Sequence, residues 1–206
     1  MLSSVKNILR TFLLLFLRAS ITGCLPTIKY VDLFREFLHI DISEMGIGEI
    51  REFVEKKMNT EVPNSRIQRD DLLDLLLGEY ITPMLGLDQL LFVTDFPASQ
   101  SSLAKISDVD TSTARRFELF YNGYELANGF EELSDYFEQS ERFNKNNLKR
   151  KIDFKEEVNI DKKFLSALNH GLPECSGVAI GLDRILMCLM GTNEIDNVLT
   201  FSFERI

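Results

Sequence analysis

Glu118, Glu125 and Glu132 stand seven residues apart in the stretch RFELFYNGYELANGFEEL, and Arg184 follows in GVAIGLDR. Seven-residue spacing suits a helix face, but Asn122-Gly123 interrupts it. Asn-Gly between two β-rich runs predicts a hairpin with a type I′ turn, since both residues accept positive φ. With a two-residue loop, Tyr121 is expected to face Tyr124, Phe120 to face Glu125, and Glu118 to face Ala127. Glu118 and Glu125 then lie diagonally on one face of the sheet, near enough to hold a cation between them. Phe117, Leu119, Tyr121, Tyr124 and Leu126 form the opposite, core-facing side.

The run Gly177 to Arg184 reads as a strand turning directly into a helix. Glycines at 177 and 181 allow a flat ligand close to the backbone. Arg184 falls in the first helical turn, where a guanidinium and the helix-terminal amides can hold a phosphate together. A cation between two carboxylates and an arginine on a distant phosphate are what a magnesium-bound nucleotide needs.

These groups need a scaffold, and the rest of the chain supplies an α+β pattern of antiparallel strands with helices. Residues 1–40 read as two helices separated at Gly23 to Pro26, followed by helices over Ile47 to Met58 and Arg69 to Leu77, then a loop from Gly78 to Gly86. LLFVTDF reads as a buried strand stopped by Pro97. A charged helix is expected from Glu131 to about Arg150, an exposed loop over Lys149 to Asp161, and a helix over Lys162 to Asn169. SGVAIG is a strand, LDRILMCLM a helix ended by Gly191, and NVLTFSFE a last strand. The expected organisation is one partial catalytic domain over 1–206: a mainly helical lead-in to residue 89, then the sheet.

Composition excludes several function classes. A net charge of −9 argues against nucleic acid as the main partner. Cys24, Cys175 and Cys188 share no metal-ligand spacing and fit a reduced, cytoplasmic setting. Two histidines, no Gly-x-Ser-x-Gly elbow and no Gly-x-x-x-x-Gly-Lys loop leave little for serine-hydrolase or P-loop chemistry. The first 24 residues read as an amphipathic helix with Val5, Ile8, Leu9, Phe12, Leu13 and Phe16 on one face. Ile21 to Cys24 resembles a lipoprotein cleavage box, but Arg18 cuts the apolar run short of a signal or a membrane span.

RFELFYNGYELANGFEEL and GLPECSGVAIGLDRILM resemble the last two catalytic segments of class II lysyl-tRNA synthetases. They are more similar still to the paralogous ligases that attach (R)-β-lysine to a lysine of elongation factor P. The resemblance covers most of the chain and is tightest from about Leu91 to Ile206. It implies a class II synthetase-like catalytic domain with an antiparallel sheet, on which ATP and an amino acid form an adenylate. It also implies Mg²⁺ at Glu118 and Glu125, ATP beside Glu125, Leu126 and Gly181, and amino-acid recognition at Asn128 and Glu132. Arg184 is then the motif 3 arginine on the γ-phosphate. By simple alternation Asn128 faces away from Glu125, so a shared pocket needs a bulge, which Gly129 could provide. Glu131 is expected to face solvent.

Three features favour the paralogue over a tRNA synthetase: Ala98-Ser99-Gln100-Ser101-Ser102-Leu103-Ala104, Glu174-Cys175-Ser176-Gly177, and Ala179 where synthetases tend to carry glycine. The acidic balance also suits a protein acceptor better than tRNA. The first two class II motifs have no counterpart before Leu91, so the chain by itself is expected to be a poor or inactive catalyst. It then stands as the distal part of a split gene, a product of a wrongly placed start, or a degenerating copy. The competing readings are a lysyl-tRNA synthetase fragment and a non-catalytic remnant that keeps nucleotide or subunit binding.

Overall fold

A computed structural model of the chain describes residues 25–63 and 67–202. The helix expected over Val5 to Phe16, the cleavage box and Cys24 lie outside the described residues.

Five strands form one sheet in the order β1-β2-β3-β4-β5: Thr27–Lys29, Leu91–Pro97, Thr113–Tyr121, Tyr124–Glu131 and Ser176–Ile180. β2 to β5 run antiparallel to their neighbours, but β1 lies parallel to β2, with Ile28 opposite Val93. The sheet is therefore mixed, a correction to the expected antiparallel one. Three residues after Pro26 are too few to show an alternating pattern, and the parallel pairing is fixed by the rest of the sheet.

Six α-helices flank the sheet among the described residues: α1 Tyr30–Leu38, α2 Ile47–Met58, α3 Arg69–Leu76, α4 Tyr136–Ile152, α5 Lys162–His170 and α6 Leu182–Met190. Helices α1 to α3 cover one face, burying Leu33, Phe34, Ile50, Val54, Leu72, Leu73 and Leu76 against Val93, Phe96 and Phe120. Burying a side chain of this size contributes roughly 1.5–3 kcal/mol. The opposite face packs Phe92, Phe117, Leu119 and Leu126 with Ile185 of α6, which bears out the core side read from the hairpin.

Each helix starts or stops for a local reason. The Asp71 carboxylate accepts the Gln68 amide at 2.7 Å at the start of α3, and the Asp135 side chain accepts the Glu138 amide at 2.8 Å at the start of α4. That cap places the start of α4 at Tyr136 rather than at Glu131, because β4 continues through Glu131. Gly191 ends α6 with φ 65°. Beyond α3, where a loop was expected, the chain makes a π turn over Leu77–Ile81 and a 3₁₀ turn over Thr82–Met84.

The C-terminal strand expected at NVLTFSFE is absent from its described part. Ile195–Asn197 forms a 3₁₀ turn and no strand follows through Ser202. Cys188 is half-buried and Cys175 is exposed. Among the described residues no helix is long and apolar enough to cross a membrane. Among the described residues β5 pairs only with β4, and α6 exposes Leu182, Leu186 and Met190.

Candidate functional site

The hairpin turn forms as its residues dictate. Asn122 and Gly123 both adopt positive φ, 46° and 78°. Their amides donate to the Gly86 and Leu85 carbonyls at 2.7 and 2.8 Å. Tyr121 faces Tyr124 and Phe120 faces Glu125, as expected. The register then shifts: Leu119 faces Ala127, so Leu126 is the extra residue of a bulge and Glu118 faces Asn128, not Ala127. Leu126 is driven into the core beside Phe117 and Leu119, which is the apolar reward for breaking the alternation.

The bulge rearranges the candidate residues. Directly opposed residues share a face, so Glu118, Glu125 and Asn128 now lie on the same side of the sheet. The bulge needed to bring Asn128 there exists, but at Leu126 rather than at Gly129. That side is the one helices α1 to α3 cover, and the cover stops short of the hairpin. A cleft of about 480 Å³ opens there, lined by Glu118, Phe120, Tyr124, Glu125 and Arg184, with Asp74 from α3 and Leu77 from the π turn that follows it. A cavity of about 540 Å³ between α4 and the 153–161 segment shares no residue with this cleft.

Arg184 reaches the cleft because β5 pairs with β4 through Ala179 and Asn128, and α6 begins immediately after. The Gly181 amide donates to the Leu126 carbonyl at 2.9 Å, which joins the two strands at the start of that helix. Arg184 Nη1 donates to the Glu125 carbonyl at 2.7 Å and lies 3.4 Å from Glu125 Oε2. Both side chains remain partly open to solvent, 49% and 36% exposed.

Glu118 is different. Its side chain is 10% exposed and pairs with Arg116. Burial pushes its carboxyl up to about 7; the Arg116 charge opposes that shift and the Glu125 charge adds to it. Asp74 is also raised by burial, against a hydrogen bond from Gln100. Asn128 Oδ1 is buried and has no hydrogen-bond partner among the described residues, an acceptor that costs about 1–3 kcal/mol unless something donates to it.

Glu132 stands apart from this cleft, roughly 20 Å along β4 from Glu125 at a strand's rise per residue. Its amide donates to the Cys175 carbonyl at 3.0 Å, and its carboxylate lies over Gly177, so closely that a side chain at 177 would collide with it. Burial raises its carboxyl as well. Glu131 is not the solvent-facing residue it was expected to be. It accepts from Arg115 Nη1 at 2.7 Å, with Lys105 at 3.8 Å.

Among the described residues no group of three His, Cys, Asp or Glu side chains could hold a metal ion unaided. Two carboxylates facing one cleft fit a cation whose remaining ligands come from a bound molecule, as with magnesium on phosphates. Sequence reasoning missed Arg116 and Asp74. Arg116 sits two residues before Glu118 on the same strand face and was legible by alternation; Asp74 comes from another element and left no local signal.

The family model described as tRNA synthetases class II (D, K and N) matches residues 6–205. Among curated proteins, the chain is 41% identical over 179 residues to the elongation factor P--(R)-beta-lysine ligase of Proteus mirabilis (strain HI4320), covering 87% of this chain and 55% of that protein. It is 43% identical over 178 residues to the protein of that name from Buchnera aphidicola subsp. Schizaphis graminum (strain Sg), covering 86% and 55%. Against the protein of that name from Salmonella gallinarum (strain 287/91 / NCTC 13346) it is 40% identical over 187 residues, covering 90% and 58%. The chain thus spans little more than half the length of these relatives. With its α+β sheet and the match over nearly its full length, the chain belongs to the class II tRNA synthetase (D, K and N) family.

Proposed function

We propose that the chain carries the C-terminal nucleotide- and amino-acid-binding part of an ATP-dependent ligase that activates lysine or (R)-β-lysine as an adenylate and transfers it to a lysine of elongation factor P. The observation that carries this reading is the meeting of Glu118, Glu125 and Arg184 on one cleft. The identity of about 40% to ligases of that name supports the substrate class.

In this reading Glu118 and Glu125 hold Mg²⁺ from the protein side. The Leu126 and Gly181 backbone lines the nucleotide, and Arg184 turns from Glu125 onto phosphate oxygens, a charge-assisted contact its fork geometry suits. Magnesium-bound ATP, when present, supplies the energy of a phosphoanhydride and a charge that favours the ionised form of Glu118. Asn128 Oδ1 and the Glu132 carboxylate are acceptors for the ammonium groups of the amino acid. A cation against Glu132 offsets the burial that raises its carboxyl.

Elongation factor P is the proposed acceptor. The acidic balance of the chain, net −9, disfavours tRNA. The proposed location is the cytoplasm, in keeping with Cys175 and Cys188, which form no disulfide among the described residues. The 206 residues taken by themselves are proposed to retain ligand binding and to catalyse poorly.

Titration calorimetry of the 206-residue chain with Mg·ATP tests the reading. Binding that disappears in Glu125→Gln is the expected result, and no binding by the unaltered chain overturns it. Lysine and (R)-β-lysine titrated separately then distinguish the two substrates.

A further inference from the structure

The turn Ala98–Gln100 takes no part in the chemistry proposed above, yet it ties together two walls of the cleft. Gln100 Nε2 donates to Asp74 Oδ1 at 2.8 Å, reaching α3. The Gln100 carbonyl accepts from Arg116 Nη1 at 2.9 Å. The other terminal nitrogen of Arg116, Nη2, pairs with Glu118 Oε1. The guanidinium lies over the Phe96 ring, 4.3 Å from its centroid. Asp74 and Glu118, the two ends of this chain of contacts, both line the cleft. Gln100 and Arg116 connect them from behind its wall.

The chemistry of each link explains its residue type. A carboxylate as buried as Glu118 is stable in one place only if a fixed donor holds it. Arg116 is such a donor because its planar fork satisfies the Gln100 carbonyl and the Glu118 carboxylate in one orientation, while Phe96 limits rotation of the plane. A lysine at 116 keeps the charge but has a single point donor and no fork. The Gln100 amide extends the arrangement to α3, so the helix that closes the cleft and the strand that carries Glu118 are set relative to one another.

We propose that Gln100 and Arg116 are positioning residues that fix where the Glu118 and Asp74 carboxylates stand in the cleft. Only the functional consequence of this clamp, a formed cation site, rests on the nucleotide reading above.

Two measurements on the full chain test it. The first is a pair of double-mutant cycles in urea unfolding, Arg116→Lys with Glu118→Gln and Gln100→Met with Asp74→Asn, each across one side-chain contact. Each contact is expected to make the double variant's unfolding constant depart from the product of the single effects by about threefold or more. The second is Mn²⁺ affinity in the presence of ATP, read by electron paramagnetic resonance. Arg116→Lys and Gln100→Met are expected to weaken it by about tenfold. Ser99→Ala, which removes only the exposed 3.0 Å bond to Asp70, is expected to leave it within about twofold on the scale of ordinary surface changes. Additive unfolding effects overturn the clamp whatever the metal does. A coupled cycle with unchanged Mn²⁺ affinity in Arg116→Lys and Gln100→Met also overturns it, by reducing the contacts to a structural role. A coupled cycle in a chain that binds no Mn²⁺ with ATP supports the clamp and overturns the nucleotide reading.

Discussion

Arg184 and Glu125 are joined through the main chain more closely than through their charges: Nη1 meets the Glu125 carbonyl at 2.7 Å and the carboxylate only at 3.4 Å. The arginine is thus parked on the hairpin without occupying both carboxylate oxygens, and a ligand can recruit it by replacing one neutral acceptor. Arg184→Ala is expected to weaken Mg·ATP binding tenfold or more, since a hydrogen bond to a charged group is worth about 1.5–3 kcal/mol. Unfolding stability should move by no more than about 0.5 kcal/mol, because the pair is solvent-screened. Calorimetry and urea titration on the same variant separate the two.

Stability should fall as pH rises from about 4.5 to about 7. Glu118 titrates at about 7 in the folded chain, against 4.5 as its ordinary value. Below the lower value both states carry the proton and the contribution is fully present. Through the window the unfolded chain releases the proton first, so unfolding gains and stability is lost. The shift corresponds to a loss on the order of 3 kcal/mol. Asp74 and Glu132, raised in the same direction, add to it. Urea midpoints across this range should decline in the unaltered chain and decline less in Glu118→Gln.

A methyl group at Gly177 collides with Glu132 Oε1. Gly177→Ala is therefore expected to displace that carboxylate, at a cost of about 1–3 kcal/mol if the neighbours cannot yield. Lysine or (R)-β-lysine affinity should fall by about tenfold, while Mg·ATP affinity at the other end of β4 stays within about twofold, the two sites being far enough apart to act independently.

Adjacent glutamates should behave differently. Glu131→Gln disturbs an ion pair with Arg115, whose side chain is about one-third exposed, and should cost about 1 kcal/mol of stability or less with amino-acid binding intact. Glu132→Gln should reverse the pattern, abolishing amino-acid binding with little effect on the urea midpoint. Loss of amino-acid binding in Glu131→Gln would mean that the two roles have been exchanged.

The hairpin was legible because Asn-Gly constrains two φ angles by itself, and Tyr121–Tyr124 and Phe120–Glu125 follow from it. The bulge at Leu126 was not. Nothing in a run of alternating residues tells that an isobutyl group lowers the free energy more by entering the core with Phe117 than by keeping step. That one decision moved Asn128 onto the face of Glu118. The last strand failed for a similar reason: Val198 to Phe201 has strand composition, yet among the described residues no strand pairs with it, and composition without a partner does not make a ladder. β1 shows the reverse case, three residues made a strand by Phe92, Val93 and Thr94 alone. Glu118, Glu125 and Arg184 could be assigned from spacing and resemblance, whereas Asp74 entered the cleft only through the packing of α3.

The Asn122-Gly123 turn also bears on how the chain ages. Asn-Gly is the dipeptide most prone to lose ammonia, when the glycine nitrogen attacks the asparagine side-chain carbonyl and water then opens the resulting succinimide to isoaspartate or aspartate. In the fold that nitrogen donates to the Leu85 carbonyl at 2.8 Å, and the Asn122 side-chain oxygen accepts from the Asp88 amide at 2.7 Å. Both reacting groups are held apart by the contacts that set the hairpin. Deamidation at Asn122 should therefore accumulate mainly in molecules that have opened, so a mass spectrum of stored protein keeps a record of the time spent unfolded.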